Sequence, residues 1–325
     1  MKFSRVSLLA GLVAALALAG CGSGTGGAEP GKTATGQESS VVKAMALPFL
    51  DQAGLHVGLD KGVFATEGVE LSAQFFTDSK AGSVAFNSGE VDLGFANYVS
   101  LLQIIDNGAK LKIISEGSVG KPGVQAVMVP ESSPIKTVKD LEGKKVAVAV
   151  LKNVQPLMLN AVLRDAGADP AKVEYVQVPV PNTVAAVEAG QVDAAAFTEP
   201  FTSLAAGKGF RLVTDLASGT TQNWPTAGYF VKQEWIDARP KTAAALATAL
   251  GKAQSLAADR VSVEKVLQLP TYTKMDATTA AAIKLVDFPT APDAARLQRV
   301  IDQMRVEGLL KGNFKATDLI YTPGG

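Results

Sequence analysis

From Val41 onward the chain alternates short apolar runs with helical stretches, and this alternation restricts the fold more than any other feature. The runs are Val41–Leu47, Val69–Phe76, Val91–Ala96, Leu111–Ser115 and Val124–Val129, then Lys145–Val150, Val173–Val178, Asp193–Phe197 and Arg211–Thr214. Strands interleaved with helices predict parallel βαβ units covered on both faces, an α/β fold. Between the two sets, "VPESSPIKTVKDLEGKK" is punctuated by Pro130 and Pro134, with a short helix expected at Thr137–Leu141. After the second set, Thr226–Lys232 reads as a further strand, and Lys241–Ala258, Val261–Leu267 and Asp293–Leu310 read as helices.

An internal echo divides this pattern in two. "SGEVDLGFA" (88–96) matches "AGQVDAAAF" (189–197) at an offset of 101. Each copy offers a glycine suited to a helix C-cap, Gly89 or Gly190, then Val-Asp and an apolar strand. The offset also pairs Tyr98 with Glu199, the positions just past each strand. Two βα lobes of similar build would place both at carboxyl ends of strands, the edge where open α/β sheets bind ligands. A ligand held between two such lobes suits hinge closure.

The N-terminus carries a different message. Lys2 and Arg5 precede a small and apolar run from Val6 to Gly20, the layout of a secretory signal over residues 1–20. Leu18-Ala19-Gly20-Cys21 resembles the bacterial lipobox, in which the cysteine receives lipid and becomes the mature N-terminus. Cys21 is the only cysteine, so no internal disulfide is expected and stability must come from burial. Residues 22–40, "GSGTGGAEPGKTATGQESS", have almost nothing to bury and read as a flexible linker, residues 21–40 being the lipid-attached leash. The folded body is expected from Ser40. With 31 basic and 31 acidic residues the chain advertises no nucleic-acid surface.

Four passages carry a family resemblance: "GLHVGLDKGVFATEGVEL" (54–71), "NSGEVDLGFANYVSLL" (87–102), "IKTVKDLEGKKVAV" (135–148) and "EAGQVDAAAFTEPF" (188–201). Together they resemble the substrate-binding lipoproteins of ABC importers, in the branch handling alkanesulfonates, taurine, nitrate and thiamine-pyrimidine precursors. The resemblance implies a type II periplasmic-binding-protein fold: two βα lobes joined by two crossovers, with a helical C-terminus. It places a first lobe over 41–132 with a return over 223–325, and a second lobe over 133–222. It further implies an extracytoplasmic monomer whose partners are a small solute, a membrane permease with its ATPase, and membrane lipid through Cys21.

Strand ends name the candidate ligand contacts: Phe49, Asp51 and Gln52 in "PFLDQAG", Ser79 and Lys80 in "TDSKAGS", Asn97 and Tyr98 in "NYVS". The second lobe offers Asn153 in "LKNVQP", Asn182 and Thr183 in "VPNTV", and Glu199 in "TEPF"; Trp224 lies near the second crossover. Asp78 or Ser79, Asn153, and Asn182 or Thr183 suit helix N-caps, whose free N–H groups favour anionic or polarised ligand groups. Glu199 could accept from an amino or amidine group, Tyr98 could stack or donate, and Phe49, Phe201 and Trp224 could supply ring faces.

These loops contain no arginine, so a heteroaromatic, pyrimidine-like ligand is favoured over a fully ionised sulfonate or nitrate. The single histidine, His56, lies mid-helix, and no cluster has metal-ligand spacing, so neither enzyme nor cofactor is expected. Relatives of the fold include an enzyme that builds the thiamine pyrimidine, but its cysteine and histidine set is missing here. A docking lipoprotein that senses a ligand without a transporter is the remaining alternative.

Overall fold

A computed structural model describes residues 38–324. The expected signal segment, Cys21 and nearly all of the linker lie outside the described residues. No helix among the described residues is long and apolar enough to cross a membrane.

The first lobe begins with strands β1 (Val41–Ala46), β2 (Glu70–Phe75), β3 (Gly94–Asn97) and β4 (Leu111–Val119). Helices α1 (Ala53–Asp60), α2 (Val63–Thr66), α3 (Ser79–Ser88) and α4 (Tyr98–Asp106) connect them. The second lobe holds β5 (Gln125–Pro130), β6 (Lys145–Val148), β7 (Glu174–Gln177), β8 (Ala194–Thr198) and β9 (Phe210–Asp215). Its helices are α5 (Val154–Asp165), α6 (Thr183–Glu188) and α7 (Phe201–Gly207). The chain returns through β10 (Pro225–Lys232) and ends in α8 (Gln233–Ala238), α9 (Pro240–Leu256), α10 (Arg260–Leu267), α11 (Ala277–Ala282), α12 (Ala294–Val306) and α13 (Ala316–Leu319).

Strand order is the same in both lobes. In the second, the sheet runs β7-β6-β8-β5-β9. In the first, β1-β2 and β3-β10-β4 meet where Ala44 bridges Leu93 in parallel, giving β2-β1-β3-β10-β4. The parallel βαβ expectation holds only for β2-β1-β3 in the first lobe and β7-β6-β8 in the second. β10 runs antiparallel to β3 and β4, and β5 antiparallel to β8 and β9. The reason is the crossover: a strand arriving from the other lobe enters its sheet from the opposite end. The same pairing moves Gln125–Pro130 into the second sheet, although a division at 132/133 puts it with the first lobe. Strand periodicity says where a strand is, and long-range pairing decides to which sheet it belongs.

The sequence echo is a real structural repeat. Gly89 and Gly190 end their helices at φ 79° and 68°, a left-handed conformation that glycine adopts without strain. Asp92 and Asp193 then do the same work. Asp92 accepts from Lys43 N at 2.9 Å and Asp193 from Lys145 N at 2.8 Å, while each aspartate N–H returns a bond to the same lysine carbonyl. Each pair fixes the entrance of the first parallel strand of its lobe.

The connections between lobes run side by side. Gly120 N donates to Trp224 O at 3.0 Å, and Leu216 N to Gln125 O at 2.9 Å. Helix α9 packs on α1 and β4 of the first lobe, whereas α12 touches α4 and α5, one helix of each lobe. Arg164 of α5 and Glu307, just after α12, pair at 2.6 Å. The C-terminus therefore braces both lobes rather than the first alone.

Candidate functional site

The carboxyl ends of β1, β3 and β6 face one another across a cleft, and a cavity of about 260 Å³ lies there. Its first-lobe wall includes Phe49, Asp51, Ser79, Phe95 and Asn97, with Thr226 from β10. Its second-lobe wall includes Gln125, Asn153, Gln155 and Thr198. Of the sequence-named candidates, the fold brings Phe49, Asp51, Ser79, Asn97 and Asn153 together here.

Three helices begin at this cavity: α3 at Ser79, α4 at Tyr98 and α5 at Val154. Each has the cap its sequence offers. Asp78 accepts from Lys80 N and Ala81 N, Asn97 from Ser100 N, all at 2.9 Å, and Asn153 from Val154 N at 2.8 Å. The helix dipoles put partial positive charge at the cavity, though the caps already engage several first-turn donors.

Among the described residues, Asp51 is the one ionisable side chain lining this cavity. Its Oδ1 accepts from the hydroxyls of Ser118 on β4 and Thr226 on β10, the latter at 3.2 Å. Those two hydroxyls are buried and also bond each other at 2.5 Å. Among the described residues Oδ2 takes no hydrogen bond, so the carboxylate is oriented by its strands and retains an acceptor. Gln125, in the facing wall, also keeps a buried Oε1 without a partner. Phe49 is positioned by Tyr272, whose hydroxyl donates to the Phe49 carbonyl. The Tyr272 ring stacks on His56 at 3.7 Å between centroids. Burial holds the His56 pKa down to about 4, so the imidazole is neutral and structural.

Several candidates lie elsewhere, for identifiable reasons. Tyr98 is fully buried beneath β10; a Cβ on Gly228 would come within 2.4 Å of its hydroxyl oxygen. As the first residue of α4 it turns to the core while Asn97 faces the cavity. Burial pushes its phenol well above the usual range. Gln52 is fully buried and ties α1 to β1, donating to Met45 O at 3.0 Å and accepting from Leu47 N at 2.5 Å. Gln155 repeats this in the second lobe, accepting from Ala149 N at 2.8 Å and donating to Ala196 O at 3.0 Å. Trp224 is core at the crossover, Lys80 is exposed, Asn182 is exposed and caps nothing with its side chain, and Thr183 is buried in α6.

Glu199 lines a second cavity of about 410 Å³, which adjoins the first through Phe49, Asp51, Gln125 and Thr198. Its Oε1 accepts from Ser203 Oγ at 2.7 Å and from Lys284 N at 3.2 Å, so the carboxylate joins the second lobe to the C-terminal segment. Sequence reasoning missed Phe95, Gln125, Thr198 and Thr226. Gln125 and Thr226 sit at the starts of crossover strands, where a strand-end rule built on βα units does not look.

Two matching lobes, a double crossover and a polar cleft between them define a two-lobed binding protein with the type II periplasmic-binding-protein fold. The chain belongs to the NMT1/THI5-like family, whose description it matches over residues 50–260. Among sequence relatives, an Escherichia coli protein named for binding aliphatic sulfonates is 29% identical over 196 residues, 56% of this chain and 60% of the relative. A Brachyspira hyodysenteriae ABC transporter periplasmic binding protein is 24% identical over 61% of this chain and 59% of the relative. The chain thus spans about 60% of the length of these relatives. Among solved structures, the E. coli periplasmic aliphatic sulphonate-binding protein superposes with a TM-score of 0.72 at 21% identity, covering 88% of this chain and 93% of that one. The Synechocystis nitrate-binding protein gives 0.66 at 16% identity, covering 86% and 85%.

Proposed function

We propose that this chain is the extracytoplasmic solute-capturing subunit of an ABC importer, held to the membrane by lipid on Cys21. A small solute enters between the lobes, the lobes close over it, and the closed form is what the permease recognises. The solute leaves unchanged; no step of chemistry is done on it. Ligand contacts with both lobes supply the differential affinity that shifts the open and closed populations.

The solute that suits the cleft best is a small heteroaromatic molecule bearing amino groups. The observation that carries this is Asp51, a carboxylate acceptor with one free oxygen in a cavity whose wall, among the described residues, contains no cationic side chain. An amino or amidine edge would donate to Asp51, and Phe49 offers a half-exposed ring at the mouth. A second reading, an alkanesulfonate or nitrate anion, is favoured by the three helix N-termini at the cavity and by the names of the relatives.

Thermal unfolding of the full chain in detergent separates these. Aminopyrimidines, nucleobases, alkanesulfonates, taurine and nitrate would each be added. A true ligand at a hundred times its Kd should add about 2.7 kcal/mol, a shift of several degrees. A shift with aminopyrimidines supports the heteroaromatic reading. A shift with sulfonates or nitrate alone replaces it with the anion reading. No shift with any of them counts against solute capture and favours a docking role.

A further inference from the structure

We propose that the solute carries an apolar arm beside its polar head, and that this arm lies in the second cavity. The inference rests on the proposed solute-binding role of the cleft and specifies the ligand's shape. The second cavity, of about 410 Å³, opens beside Asp51 and Phe49 and is walled by Val180 and Phe201 of the second lobe and Leu267, Met275, Ile283 and Val286 of the C-terminal segment. Away from the edge it shares with the first cavity, at Asp51, Gln125 and Thr198, the polar side chains within it are already engaged. Glu199 is bonded to Ser203 and to Lys284 N–H, and the Thr273 hydroxyl donates to the Leu267 carbonyl. A water needs two to four polar partners, and such a wall offers it few. It offers dispersion contacts and apolar area instead, which suit an alkyl or phenyl substituent.

The geometry also divides the labour. The head cavity is bounded by oriented acceptors and helix N-termini, and the arm cavity by side chains from the two parts that Glu199 and Lys284 join. Small-molecule sites have this composition, a few placed polar groups at one end of a largely apolar pocket. An arm lying there touches the second lobe and the C-terminal segment at once, so its burial favours the closed arrangement.

Two homologous series test the arm independently of the head: 4-amino-2-methylpyrimidine with 5-alkyl substituents of increasing length, and alkanesulfonates from ethane- to hexanesulfonate. Affinities would be measured by calorimetry on the full chain in detergent. The expected result is a gain of about fourfold per methylene in whichever series binds, until the cavity is filled. Val286→Trp and Ile283→Trp, which fill the cavity, should remove that gain while the shortest member binds as before. If pyrimidines fail and sulfonates gain with length, the arm stands and the heteroaromatic head falls. If neither series gains with length, or the gain survives both variants, the arm is overturned.

Discussion

Asn153 Nδ2 donates to Ser100 Oγ at 3.1 Å, a direct hydrogen bond from the first turn of one lobe's helix to that of the other. Both residues are already part of caps: Asn153 Oδ1 accepts from Val154 N, and Ser100 N donates to Asn97. The two helix starts at the cavity are thereby fixed to their own strands and to each other. The bond spans the two lobes, so it should act on closure.

Ser100→Ala removes the cross-cleft bond and leaves the Asn97 cap, which uses the backbone of residue 100. The loss of one neutral hydrogen bond, about 1 kcal/mol, should weaken ligand binding about fivefold with little change in Tm. Asn153→Ala should weaken binding similarly and also lower stability by about 1 kcal/mol, because it removes the α5 cap. Calorimetry and thermal unfolding on the two variants check this. Equal Tm losses in both would assign Ser100 to folding.

Asp51→Asn keeps the shape of the side chain and removes its charge. An aminopyrimidine that donates to the carboxylate should bind at least tenfold more weakly, a loss of about 1.4 kcal/mol. An anionic solute should bind equally well or better. The Kd of each class in both proteins decides which solute the cleft takes.

Glu199→Ala leaves Ser203 and the Lys284 N–H, both part-buried, without their acceptor. Part-buried groups left unsatisfied cost about 1 kcal/mol each, at the low end for buried ones, so the expected outcome is a measurable loss of stability in urea unfolding. An unchanged stability together with weakened binding would return Glu199 to direct ligand contact.

Acid should destabilise the protein through His56. Its folded pKa is depressed to about 4 from the ordinary 6.5, so the unfolded chain binds the extra proton first as pH falls. The stabilising contribution is complete above pH 6.5 and is lost as pH drops toward 4. At about 1.4 kcal/mol per unit, the loss is on the order of 3 kcal/mol. Urea unfolding at pH 7 and pH 4.5 measures it, and His56→Gln should flatten the difference. The Tyr272 stack on His56 also carries the bond to Phe49, so ligand affinity should hold until pH nears 4, where the folded imidazole itself takes a proton.

All ten strands and the main C-terminal helices were legible in the sequence, because apolar runs bounded by glycine and proline are a local signal. Pairing was not. Gln125–Pro130 and Pro225–Lys232 look like any other strand, and only their arrival from the opposite lobe makes them antiparallel. Asp78 and Asn153 were legible as caps for the same local reason, whereas Asn97 was named only as a strand end. Tyr98 and Gln52 were misread because adjacency to a strand end does not say which way a side chain turns. At the start of a helix one residue is a rotation of about 100°. It separates Asn97, which lines the cavity, from Tyr98, which does not. Gln52 and Gln155 were hidden further, since their role is a pair of backbone bonds that no composition rule reports.

The bond between Gly120 and Trp224 has a mechanical consequence. One strap would let the lobes bend, slide and twirl about each other. Two straps fastened to one another leave chiefly a single swing, like a door on two pins. Solutes of different bulk would then stop the door at different angles along one track. Any surface that spans both rims, such as the face of a permease, would sense what is inside without touching it.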